Sequence, residues 1–325
     1  MSPTPAIRTR AVTLVELLVV IAVLIVVIAI LLPAISTPRC RGGRQLKDAN
    51  QIRGITQALV VWASNNNSSY PVPSDFDTKD FTLASGDNPA AKNTTGNILS
   101  LLVFNGSISP EICISPAEAN TAQVQRYDDY QYANPRAAAN PREALWDPNF
   151  RGTPEDVLGP DGKPLAGVAN QSYAHTAPLG KRRAQWSDTY NSTEAVFGNR
   201  GPTYIQSDAA PSSTKWPLLA GPLGTGSFTL LIHGGRSTWE GNIAYNDNHV
   251  NFETSPTPAG VTFPISGPIL PGKPLPRMGP DNLFVNESDE FEGDGISGTV
   301  DKGTNAYLRP IAGAPDMTRV RSWRD

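Results

Sequence analysis

The sequence predicts an α+β fold, with a long N-terminal helix whose outer half packs on a small antiparallel sheet. Three observations predict it. An unbroken apolar stretch near the N-terminus is followed by a segment with helical spacing. Beyond about residue 74, short apolar runs are separated by Gly, Pro, Asn and Asp. The 28 Gly and 30 Pro in 325 residues exceed the usual share of about one residue in eight. That excess favours short strands and long loops over a helical bundle. With 39% hydrophobic residues the chain can build a packed core. A net charge of −3 offers no basic face for nucleic acid.

The first element is the apolar stretch. From Leu17 to Leu32 there are 16 consecutive apolar residues, and residues 11–35 contain a single charge, Glu16. About 20 helical residues cross a hydrocarbon core of roughly 30 Å. The run is rich in Val and Ile, which suit a strand in water. In lipid, however, a lone segment satisfies its backbone only as a helix. A secretory signal peptide would carry an apolar region of about 7–15 residues before small residues at a cleavage site. This run is longer, and Pro33-Ala34-Ile35-Ser36 is a poor cleavage site. Glu16 sits inside the apolar block, where an uncompensated carboxylate costs at least about 2.5 kcal/mol. Such a charge asks for a partner and a purpose.

The residues around it carry a resemblance. Arg10-Ala11-Val12-Thr13-Leu14-Val15-Glu16-Leu17 resembles the cleavage and methylation motif of type IV prepilins and type II secretion pseudopilins. The resemblance implies a cytoplasmic leader, residues 1–11, removed by a prepilin peptidase between Ala11 and Val12, with N-methylation of Val12. It implies a transmembrane and polymerisation helix over 12–36, with Thr13, Leu14, Glu16 and Pro33 serving assembly. Ala11 stands where the family usually has Gly, and Val12 where it usually has Phe. In a stack of such helices, the new amine on Val12 of one subunit would sit beside Glu16 of its neighbour. Opposite charges attract strongly in a low dielectric, so this pair would set register more than add stability. Pro33 lies where the family often has a helix-bending proline. The implied partners are the peptidase, other pilin or pseudopilin subunits, an inner-membrane assembly platform and the lipid bilayer. The implied location is the bacterial inner membrane, single-pass, with the C-terminal domain periplasmic or displayed on a fibre. Arg8 and Arg10 favour a cytoplasmic leader. Arg39, Arg41, Arg44 and Lys47 on the other side argue the reverse by simple counting, and the processing motif decides for the leader.

The second element, an extension over 37–66, follows. Leu46, Ala49, Ile52, Ile55, Ala58, Leu59 and Trp62 recur every three or four residues, which predicts an amphipathic helix with one apolar face. Asn65-Asn66-Asn67-Ser68-Ser69 ends it, and Tyr70-Pro71-Val72-Pro73 is extended. Trp62-Ala63-Ser64-Asn65-Asn66 and Tyr70-Pro71 are similar to the end of the long helix in pseudopilins.

The remaining residues, 67–325, read as an exported β-rich globular domain. The predicted strands are Ile112–Ile114, Gln171–His175, Ser227–His233, Gly241–Tyr245, His249–Glu253 and Asn282–Val285, with a short helix at Ile98–Phe104. Residues 128–208 read as polar and irregular, and 256–280 as a proline-rich loop. Alternation around Asp247-Asn248 predicts a β-hairpin, since Asx residues tolerate positive φ. His233, Asp247 and His249 resemble the C-terminal signature of long prepilin-like proteins, a His followed by an Asp-Gly-His-Val hairpin. Here Asn248 takes the place of the Gly, and the spacer after His233 is longer. Ile112-Cys113-Ile114-Ser115-Pro116 also looks like that family's Cys-Pro-Ser segment.

Chemistry-bearing clusters are few. His233, Asp247 and His249 are candidates for a metal or for a hydrogen-bonded hairpin, but HExxH and CxxC spacings are absent. Acidic residues with interleaved Gly in the tail, Asp281, Asp289 and Asp294 among them, suit either Ca²⁺ or a solvated loop. Cys40 and Cys113 form one disulfide or remain two thiols. No nucleophile elbow, P-loop or dinucleotide fingerprint is present, so the expectation is a non-enzyme. The expected function is a pilin-like structural subunit of a type II secretion or type IV pilus-like fibre. The alternatives are a minor or surface-displayed prepilin that binds a ligand, and a membrane-anchored enzyme.

Overall fold

A computed structural model describes residues 14–36, 39–155, 167–205, 216–264, 278–287, 297–300 and 303–325, without the side chains of 26–41. The chain divides into two compact units, Met1–Gly43 and Arg44–Asp325.

In the first unit, helix α1 runs over Leu14–Ser36 and continues through Pro33. Its apolar side chains from Leu14 to Ile25 are all 49–78% exposed. Among the described residues no helix is long and apolar enough to cross a membrane. The described side chains of α1 stop at Ile25, about 18 Å of helix.

Helix α2 spans Arg39–Ser64. The structure places Arg44 onward within the globular unit. The cause is burial: Ile52, Ile55, Leu59 and Ala63 are each at most 1% exposed and sit in one core with Tyr173, Phe197 and Ala244 of the sheet. After α2, Asn67 and Ser68 adopt φ of 51° and 59°, a left-handed conformation that stops a helix. A single turn, α3, follows at Pro73–Phe76. Helix α4, Thr95–Phe104, starts where the Thr94 hydroxyl accepts the Asn97 N–H. It drives Ile98, Leu99, Leu102 and Val103 into the same core as α2.

The main sheet has five antiparallel strands in the order β4-β3-β2-β1-β8. These are β1 Tyr173–Thr176, β2 Ala195–Asn199, β3 Gly241–Tyr245, β4 Val250–Glu253 and β8 Leu308–Arg309. Its central strands are buried on both faces. Tyr173 and Ala244 meet the helices, while Ala174, Ile243 and Leu308 meet Trp239 and Phe284 behind. Strands β5 Thr262–Pro264 and β6 Met278–Pro280 pair as a two-stranded ribbon. Strands β7 Ser297–Thr299, β9 Ile311–Gly313 and β10 Arg319–Ser322 form a three-stranded sheet.

Three predicted strands are corrected. Residues 110–113 form a 3-10 turn opened by Pro110, so Cys113 closes a turn. Phe228–Leu231 form another, where Ser227 Oγ accepts the Thr229 N–H. Asn282–Val285 is a turn, in which Asn282 Oδ1 accepts the Phe284 N–H. Conversely, β2 lies in a segment read as irregular, and β5 and β6 both lie inside 256–280, a stretch read as loop.

Candidate functional site

A buried carboxylate, Asp48, lies on the buried face of α2 one turn before Ile52 and gathers side chains from distant parts of the globular unit. It is 0% exposed. Four side chains converge on its carboxylate from four places in the chain. Ser115 Oγ donates to Oδ1, and the Tyr173 hydroxyl reaches the same oxygen at 3.3 Å. Asn242 Nδ2 donates to Oδ2 at 2.7 Å, and His233 Nε2 lies 3.0 Å from it. A carboxylate can only accept, so Nε2 must carry the proton. Burial first, and the Asp48 charge second, push the Tyr173 hydroxyl well above the usual tyrosine range, which keeps it a donor. The cluster ties α2 to the Ser115 loop, to β1, to β3 and to the His233 loop. It is also not a nucleophilic triad. The Ser115 hydroxyl gives its proton to Asp48, and His233 sits on the far oxygen instead of between them.

A second contact docks the predicted hairpin on α2. Strands β3 and β4 pair from Gly241↔Glu253 to Ala244↔Val250. Asn248 takes φ 65° at the turn, and its Oδ1 accepts the Thr56 hydroxyl at 2.8 Å. Asp247 and His249 pair with each other, and the His249 ring stacks on Tyr245 at 4.4 Å. His233 therefore belongs to the Asp48 cluster, and the signature residues form two separate contacts. Below the turn, Tyr70 donates to Asn246 Oδ1 at 3.1 Å and packs edge-on against Trp186 at 5.4 Å. Trp186 Nε1 donates to Pro71 O at 2.8 Å, so the Tyr70-Pro71 segment is locked beneath the hairpin.

The other predicted site residues fall out as follows. Ala11, Val12 and Thr13 lie outside the described residues. Leu14 and Glu16 lie in the first turn of α1, where a carboxylate complements the helix dipole. Pro33 is within α1 and Cys40 within α2, with side chains outside the description. Cys113 is a free, fully buried thiol, pushed up by burial to about 12. Asp289 and Asp294 lie outside the described residues. Asp281 is 1% exposed and faces inward, where its Oδ2 accepts the Ala306 N–H at 2.6 Å. Among the described residues no group of three His, Cys, Asp or Glu is placed to hold a metal ion.

Sequence reasoning missed Asp48. The signal was an acidic residue one helical turn before Ile52, on the stripe that the spacing marks as apolar. No family model, no characterised protein and no solved structure matches this chain.

Proposed function

We propose that the chain is a pilin-like subunit, processed by a prepilin peptidase and assembled through its N-terminal helix into a type II secretion or type IV pilus-like fibre. The observation that carries this reading is α1. Its described surface is apolar on every side, and its one acid stands in the first turn directly after Ala11-Val12-Thr13. A helix apolar all round needs lipid or other helices to cover it. The same helix would anchor the subunit in the inner membrane before assembly, with the globular unit on the periplasmic side or on the fibre surface. Clamping α2 through Asp48 suits this role, because force along the helix would pass directly into the sheet.

The intact mass of the protein from a strain with its own prepilin peptidase tests the reading. Loss of Met1–Ala11 with one methyl group on Val12 is the expected result. A full-length mass would sink it. Glu16→Ala should stop fibre incorporation while the globular unit keeps its thermal midpoint.

A further inference from the structure

A cavity of about 460 Å³ opens between the start of α4, the Pro148–Arg151 loop and β9. That volume is in the range of small-molecule sites, about 300–1,000 Å³. Leu83, Phe150 and Ala314 supply apolar wall, and Arg151 and Arg321 supply charge. The two arginines differ. Arg321 donates to Glu155 O at 3.1 Å and stands 3.7 Å from the Glu155 carboxylate. The guanidinium of Arg151 makes no hydrogen bond or ion pair among the described residues. It lies against Gly167, where a Cβ would stand 2.7 Å from Nη1. Among the described residues the wall thus carries one positive charge beyond what Glu155 balances. Asn88 adds an acceptor: both its amide hydrogens are spent on Ala314 O and Pro315 O, at 2.9 and 2.8 Å, which leaves Oδ1 for an incoming N–H.

We infer that this cavity binds a small organic monocarboxylate with an apolar body, its carboxylate on Arg151 and its body on Leu83 and Phe150. One surplus charge matches a monoanion better than a phosphate dianion, and Arg presents a fork that fits a carboxylate. The ligand is either the C-terminal residue of a peptide, whose N–H would reach Asn88 Oδ1, or a free short-chain acid. The inference stands apart from the fibre reading and survives its failure.

The test is ligand-observed NMR on the full chain held in nanodiscs, with four probes: N-acetyl-leucine, N-acetyl-leucinamide, hexanoate and inorganic phosphate. The expected result is carboxylate binding at about 1 mM or tighter, with the neutral amide at least about tenfold weaker. Arg151→Gln should weaken the carboxylates by about tenfold and leave the thermal midpoint in place, since the side chain makes no hydrogen bond among the described residues. N-acetyl-leucine binding more tightly than hexanoate assigns a peptide chain end, and equal binding assigns a free acid. Amide binding as tight as acid, preference for phosphate, or absence of carboxylate binding would each overturn the inference on the unmutated protein. Unchanged affinity in Arg151→Gln would overturn it as well.

Discussion

Two buried acids in the globular unit solve the same problem in opposite ways. Asp48 and Asp281 are 0% and 1% exposed. Asp48 is met by four side-chain donors on two oxygens. Asp281 has one backbone donor on Oδ2, while its buried Oδ1 has none. Glu287 is its electrostatic neighbour, and burial raises both acids, which favours a shared proton over two buried charges. Glu287 in turn accepts the Asn282 N–H at 3.1 Å and Asn305 Nδ2 at 2.6 Å. Burial, and then the Asp281 charge, push Glu287 up to about 9; burial pushes Asp281 up to about 7. Arg182 is nearby, but its guanidinium is engaged by Asn286 and Asn305. The lesson is that a buried carboxyl needs donors or a proton, and the choice decides how it responds to mutation and to pH.

The largest predicted effect breaks this comparison directly. Asp48→Ala removes the acceptor shared by Ser115, Tyr173, His233 and Asn242, and leaves only Tyr173 and Asn242 with a second one, at Gln51 and Gln45 O. It should cost about 3–5 kcal/mol, as breaking a buried charged network does, read from the chemical-denaturation midpoint. Asp281→Asn should be far milder, because its amide supplies an N–H toward Glu287 where the native pair needs a proton. Equal losses in the two variants would remove the distinction.

How much of this was legible follows from the kinds of signal involved. The spacing of Ile52, Ile55 and Leu59 is local, so the buried face of α2 could be read directly. The β3–β4 hairpin could be read as well, because alternation and an Asx turn lie within a dozen residues. Strand β2 could not, since Ala195–Asn199 contains Gly198 and is a strand only because β1 and β3 flank it. The reverse error, Ile112–Ile114, shows Pro110 overriding a short β-branched run. The Asp48 cluster joins residues from five distant segments, and such a contact is invisible to periodicity. Its only trace is one acid on an apolar stripe.

His175 sharpens the comparison from the basic side. It is 1% exposed and packs at a tilt against Trp186, with ring centres 4.9 Å apart. Its Nδ1–H donates to Thr176 O at 2.8 Å, and its Nε2 accepts from Thr95 Oγ1 at 2.8 Å, while that hydroxyl accepts the Ile311 N–H. The network needs a neutral ring, and burial lowers its pKa from 6.5 to about 4. The folded state therefore binds its proton less readily than the unfolded chain. Stability from this site is complete above pH 6.5 and falls away toward pH 4, by at most about 3 kcal/mol. His175→Gln should remove that slope from a pH series of unfolding free energies. A slope that persists would place the acid sensitivity elsewhere.

The Asp281–Glu287 pair should give a slope of the other sign. Both groups hold protons more tightly folded than unfolded, so their contribution is full at acid pH. It drains as pH rises above the unfolded values of 3.8 and 4.5, and is gone once pH passes about 7 for Asp281 and about 9 for Glu287. The effect should be smaller than that of His175, since Glu287 is only half-buried and water screens it. Glu287→Gln should remove its share of the downward slope between pH 4.5 and about 9. If that slope survives, the two carboxyls do not share a proton.

The smallest predicted effect separates backbone from side chain at the hairpin turn. Asn248 holds φ 65° and also accepts the Thr56 hydroxyl. Asn248→Gly keeps the backbone comfortable and loses only the bond, a cost of under about 1 kcal/mol. Asn248→Ala loses the bond and adds left-handed strain, and should cost about 1–2 kcal/mol. Denaturation midpoints of the two variants give the difference. A gap between them means that the turn itself sets the register of β3 and β4, with Thr56 adding a tether to α2. Equal costs would mean that the tether does the holding, so that α2 positions the hairpin as firmly through Thr56 as it holds the His233 loop through Asp48.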